Sequence, residues 1–156
     1  MRLELLLCLS FLFFAACGRE EVPQLDVHQI LDKSGDAVKA RLGEPEIDFT
    51  RSEKVTTLQW RNIDGDSTWV YIDLIYDNAS YVTYTFKKMD PFDMAEALRR
   101  VGLTLPEKEP ERTWENGSMR WQPFDPYHRL VVNPVTKAVT ISLDFDEVSE
   151  RETTEE

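Results

Sequence analysis

Two cysteines, Cys8 and Cys17, and two histidines, His28 and His128, are the strongest nucleophiles and metal ligands this 156-residue sequence offers. The histidines lie far apart, and neither belongs to an HxxxH or HExxH pattern that would hold a metal. No Gly-x-Ser-x-Gly turn marks an activated serine. The loop Asn62-Ile63-Asp64-Gly65-Asp66-Ser67 clusters oxygens. Calcium needs more ligands, and an EF-hand needs a glutamate at the twelfth position, so the loop reads as an Asp-Gly hairpin turn. Asp144 and Asp146 share one strand face beside an acidic end, where carboxylates are solvated. The sequence therefore predicts no enzyme, no cofactor and no metal.

Cys17 has a different chemistry available. Leu5 to Phe14 is apolar apart from Ser10, too short for the roughly 20 residues a membrane helix needs. It suits the hydrophobic part of a secretory signal. Phe14-Ala15-Ala16-Cys17 resembles the lipobox of bacterial lipoproteins. That resemblance implies cleavage after residue 16 and a diacylglyceryl (palmitate-type) modification on Cys17. Each buried methylene contributes about 0.8 kcal/mol, so two or three acyl chains hold a protein on a membrane. Gly18, rather than Asp, follows the cysteine, which in the enterobacterial sorting rule resembles an outer-membrane address. Cys8 would leave with the signal, so the mature chain has no cysteine pair for a disulfide or a CxxC motif.

The formal charge is −11. Asp146 to Glu156 contributes −5 of it, from six acids (Asp146, Glu147, Glu150, Glu152, Glu155, Glu156) and Arg151. This stretch reads as a solvated disordered tail. At this charge nucleic acid and anionic lipid head groups are repelled rather than recruited, so no nucleic-acid partner is expected.

After a polar tether over 17–24, one domain is expected over 25–145, with sub-repeats 25–88 and 89–145. Asp26 can cap a short helix through Leu31. Ser34 caps a second helix that Gly43 and Pro45 stop. Three strands follow. Val55 to Arg61 is the first. Trp69 to Tyr76 has Val70, Ile72 and Leu74 on one face and Trp69, Tyr71 and Asp73 on the other. Tyr81 to Phe86 is the third. Asp77-Asn78 reads as the turn between the last two. Asp90 as N-cap and Pro91 at the first position open a third helix, ended by Gly102. Trp114, Met119 to Trp121, Arg129 to Val132 and Ala138 to Phe145 read as further strands around Asn133-Pro134. The fold class expected is α+β, with short helices packed on one face of an antiparallel sheet in two tandem helix-plus-three-strand units. Val82-Thr83-Tyr84-Thr85 would correspond to Val139-Thr140-Ile141-Ser142, and Trp60 to Trp121.

Gly35-Asp36-Ala37-Val38, then Leu42-Gly43-Glu44-Pro45, then Trp60-Arg61 resembles the SmpA/OmlA-type outer-membrane-assembly lipoproteins over about Asp32 to Phe86. The resemblance implies a lipidated cysteine, helices ending in Leu-Gly-x-Pro and a short antiparallel sheet. The tandem arrangement also resembles the architecture of β-lactamase-inhibitor protein, from which only the fold idea is taken. Together these imply a lipid-anchored envelope protein, non-catalytic, that acts as a protein-interaction or assembly accessory. The alternative is a module that binds a small apolar or peptide ligand. Candidate partner-binding residues are Tyr71, Asp73 and Thr83 on the more polar strand face, and Trp114, Phe124 and Tyr127 among the loops.

Overall fold

The computed structural model describes residues 25–63, 65 and 67–143. The signal 1–16, Cys17, the tether 17–24, Asp64, Asp66, Asp144 and the tail 146–156 lie outside them. Strands β1 (Ile47–Ser52), β2 (Val55–Trp60), β3 (Thr68–Ile75) and β4 (Asn78–Phe86) form one antiparallel meander. Strands β5 (Arg112–Thr113), β6 (Met119–Trp121), β7 (Arg129–Asn133) and β8 (Ala138–Ser142) form another. β4 pairs with β8, which gives a single eight-stranded sheet of order β1-β2-β3-β4-β8-β7-β6-β5.

This corrects the expected fold class. The described chain is mostly sheet, with two short α-helices, α1 (Gly35–Leu42) and α2 (Met94–Arg100). The helix expected over Asp26 to Leu31 is a 3-10 turn at Val27–Gln29. Each α-helix spans about two turns, too little to form a helical layer. Much of the sheet is instead covered by irregular chain: Leu25, Val27, Ile30, Leu31, Leu103 and Tyr127 are buried in the core with the helices. The strand count is corrected as well, to four per half. β1 escapes sequence reading because all six of its residues are exposed, so it shows no buried stripe.

Local chemistry accounts for the boundaries. Ser34 Oγ accepts from Ala37 N at 3.3 Å and caps α1. Asp93, not Asp90, caps α2, accepting from Glu96 N at 3.1 Å. Asp93 is the carboxylate next to the helix, and Pro91 precedes the first turn. Beyond α2, Gly102 N reaches Arg99 O and Leu103 N reaches Leu98 O, the paired bonds of a Schellman stop. Gly102 takes φ +78° there. Glu96 is bracketed by Arg99 and Arg100, whose hydrogen bonds hold its carboxyl down at about 2. The β3–β4 turn falls one residue earlier than expected, because Tyr76 and Asp77 take positive φ, as a type I′ hairpin requires.

One face of the sheet carries the core: Leu58, Trp60, Val70, Ile72, Leu74, Val82, Tyr84, Phe86, Trp121, Leu130, Val132, Val139 and Ile141. Val38 and Leu42 of α1 and Ala97 and Leu98 of α2 pack in the same cluster. The central ladder is symmetric. Tyr81 faces Ser142 as Thr85 faces Ala138, and Val82 faces Ile141 as Tyr84 faces Val139. At its middle Thr83 faces Thr140, with their hydroxyl oxygens 2.9 Å apart. A two-fold axis through that pair exchanges the meanders. Trp60 and Trp121 hold equivalent places, opposite Val70 and Leu130. The Trp60 indole donates to Gly43 O at 2.9 Å, and the Trp121 indole to Lys108 O at 2.8 Å.

Candidate functional site

Period-two alternation sends every second strand residue to the face opposite the core. One row crosses all eight strands in register: Ile47, Gln59, Tyr71, Thr83, Thr140, Val131, Arg120, Arg112. A neighbouring row holds Phe49, Thr57, Asp73, Tyr81, Ser142 and Arg129. The core-side layer leaves this face uncovered, and most of its residues are partly exposed. Phe49 on edge strand β1 is 59% exposed.

Aromatic rings and cations are matched across it. Arg61 and Lys87 lie 5.0 and 4.2 Å from the Trp69 ring centre. Arg51 lies 5.8 Å over Tyr71 and donates to its hydroxyl. Arg112 and Arg120 approach Trp114 at 5.0 and 5.9 Å. The strand positions facing this side carry four arginines (Arg51, Arg112, Arg120, Arg129) and one carboxylate (Asp73), so +4 − 1 = +3. Asp73 accepts from Thr57 Oγ1 at 2.5 Å and lies 3.9 Å from Arg51. Arg120 pairs with Glu111 at 3.0 Å and Arg61 with Glu46 at 3.7 Å. The face is thus locally basic on a chain of charge −11.

Of the six candidate residues, Tyr71, Asp73, Thr83 and Trp114 belong to this face. Phe124 and Tyr127 do not; they sit in the β6–β7 loop beside the chain's first described turn, stacked at 6.4 Å. Tyr127 is buried, and its hydroxyl lies 2.6 Å from His28 Nδ1. Burial, with the Asp26 carboxylate adding, pushes its phenol well above the ordinary range. Burial does the same to Tyr84, whose hydroxyl has no hydrogen-bond partner among the described residues. Beside them a groove of about 460 Å³ is lined by His28, Leu103, Leu105, Glu107, Phe124 and Asp125, among others. Among the described residues no group of three His, Cys, Asp or Glu side chains could hold a metal. No described helix is long and apolar enough to cross a membrane.

Sequence reasoning missed the basic residues of the open face, Arg51, Arg61, Lys87, Arg112, Arg120 and Arg129. The alternation Ile47-x-Phe49-x-Arg51 was the available signal for the first of them. The others become neighbours only when the sheet assembles. Comparison with protein-family models, with curated proteins and with solved structures finds no match to this chain.

Proposed function

We propose that this protein is a lipid-anchored lipoprotein of the cell envelope, on the outer membrane. It acts there without catalysis, as a protein-interaction or assembly accessory. The observation that carries the reading is the open face of the sheet. The rings of Trp69, Tyr71 and Trp114 lie against arginines there, residue types enriched at protein interfaces. The lipobox at Phe14-Ala15-Ala16-Cys17 supplies the anchor. The resemblance to SmpA/OmlA-type lipoproteins over about Asp32 to Phe86 supports an assembly role.

The test places a photo-crosslinking residue at Tyr71 and, as a control, at Lys39 on α1, in full-length protein in intact cells. Capture of envelope protein from position 71 and not from 39 supports the reading. Capture from neither, or only from 39, overturns it. Cys17→Ala is expected to release the protein from the membrane pellet and abolish acyl labelling. Retention in the pellet with no label on the parent overturns the anchor. The groove beside His28 favours the second reading, a site for a small apolar or peptide ligand. Its volume lies within the roughly 300–1,000 Å³ of known ligand pockets.

A further inference from the structure

We infer that the open sheet face docks an acidic protein surface, with partner carboxylates seated on its ring-stacked arginines. The inference rests on the interface reading above and specifies its partner. Charge segregation carries it. The chain bears −11 overall, yet strand positions on this face sum to +3, and adding the flanking Arg61 and Lys87 with the Glu46 and Glu111 that pair with Arg61 and Arg120 leaves it at +3 + 2 − 2 = +3. At physiological salt, charges beyond about 8 Å are screened. A docking partner therefore reads the local arginines rather than the net charge.

The kind of cation narrows the partner further. All four strand cations are arginine. A guanidinium lying over a ring can still turn its N–H edge to a carboxylate in bidentate geometry. Glu111 takes that edge of Arg120 and Glu46 lies 3.7 Å from Arg61, so Arg51 over Tyr71 and Arg112 over Trp114 are the seats offered to a partner. Arg51 keeps 48% and Arg61 43% of its side chain exposed, despite their contacts with Tyr71 and Trp69. Arginine beside tryptophan and tyrosine is the composition of protein–protein hot spots.

Where the chain enters the domain separates protein from lipid. Leu25, Val27 and Ile30 are buried in the core-side layer, and Val27 N bonds Val101 O at 2.9 Å beyond α2. If Cys17 carries the anchor, residues 18–24 link it to that layer with a reach of roughly 25 Å. A domain of this size is roughly 35 Å across. Leu25, the first described residue, thus lies in the layer on the side of the sheet away from the arginines, which favours a protein over the anchoring bilayer as the occupant of the open face.

The experiment uses the full lipidated chain in intact cells, with the crosslinking residue at position 71 and Arg51→Glu and Arg112→Glu introduced together. The expected result is a captured peptide rich in Asp or Glu and a loss of capture of at least about tenfold in the reversed chain. Replacing those partner acids with lysine should restore capture. Thermal melting and near-UV circular dichroism check that the reversed chain remains folded. In parallel, purified protein in detergent is titrated with a glutamate octapeptide, followed by tryptophan fluorescence, and mixed with vesicles of 30% phosphatidylglycerol in phosphatidylcholine. Salt-sensitive binding of the peptide, lost on reversal, supports the inference. Arginine-dependent binding of the vesicles alone assigns the face to lipid and overturns it. Crosslinks from position 71 to residues 144–156, or to a second copy of the chain, also overturn it. Capture unchanged by charge reversal sinks this inference and leaves the interface reading standing. Absence of capture at position 71 sinks both.

Discussion

The two meanders reach the same geometry with unequal material. β1 to β4 run six, six, eight and nine residues, whereas β5 to β8 run two, three, five and five. The long half holds Trp60 through the carbonyl of its own helix stop, Gly43. The short half stops its helix at Gly102 but finds the carbonyl for Trp121 six residues later, at Lys108. The shared requirement is therefore a satisfied, buried indole at one sheet position. The loop between helix and edge strand is free to vary in length to provide it. The open faces differ in the same spirit. Phe49 and Trp114 occupy matching edge places, and Tyr71 matches Val131, while Trp69 matches Arg129.

Removing the two tryptophans is the strongest test of that comparison. Trp60→Ala and Trp121→Ala should each cost about 3–5 kcal/mol in urea unfolding. Trp60→Ala should cost more, because Trp60 ends a longer strand paired along its length. The reverse order would show that the short half dominates stability. The helix stops come next. Gly43 and Gly102 both take positive φ, but a Cβ at Gly43 meets open space whereas one at Gly102 falls 2.4 Å from Asp26 Oδ1. Gly43→Ala should cost about 1–3 kcal/mol from the backbone alone, because φ +85° with ψ −176° is a conformation essentially only glycine adopts. Gly102→Ala should cost more, since Asp26 and the chain entry must also shift. Equal losses would mean that Asp26 moves freely.

Tyr84 has Ile141 as its symmetry mate, so its hydroxyl is surplus to the packing pattern. Tyr84→Phe removes a buried, unpartnered hydroxyl and should be neutral or stabilising by up to about 1 kcal/mol. A clear loss in urea unfolding would reveal an acceptor for that hydroxyl. The same group sets an alkaline limit. Burial raises the folded-state pKa of Tyr84 above that of the unfolded chain. The stability linked to it is thus complete below about pH 10 and falls as pH rises beyond. Melting temperatures of the parent should drop above that pH, and those of Tyr84→Phe should drop less. The smallest effect is expected on the axis. A double-mutant cycle of Thr83→Val and Thr140→Val should give a coupling of about 0.2–1 kcal/mol. Zero coupling would show that the hydroxyl pair does not help to lock the meanders together.

Much of this fold was legible because it is local. Alternation marked β3 and β4 and their buried faces, Ser34 and Gly43 marked α1, and Gly102 marked the end of α2. Misreadings arose where local rules compete. Asp90-Pro91 and Asp93 both make good helix starts, and the hydrogen bond to Glu96 N decides between them. β1 was hard to read because an edge strand exposed on both faces has no buried stripe, and only Ile47 and Phe49 mark its period. The candidate site was only half legible. Tyr71, Asp73 and Thr83 share a face by period alone, and the structure keeps them there. Trp114 reaches the same face through pairings the sequence does not specify, and Tyr127 is buried against His28, 99 positions away.

By itself, then, the sequence determined the α1 cap, the helix stops, the central strands and their inward stripes. Each follows from backbone sterics or side-chain period within a few residues. Only the tertiary structure decided that β4 pairs with β8. That single long-range ladder sets the two meanders in one sheet and places Arg51 and Arg61 on the same face as Arg112 and Arg120. Strand pairing is chosen by which hydrophobic faces bury one another, and that choice lies between segments more than fifty residues apart.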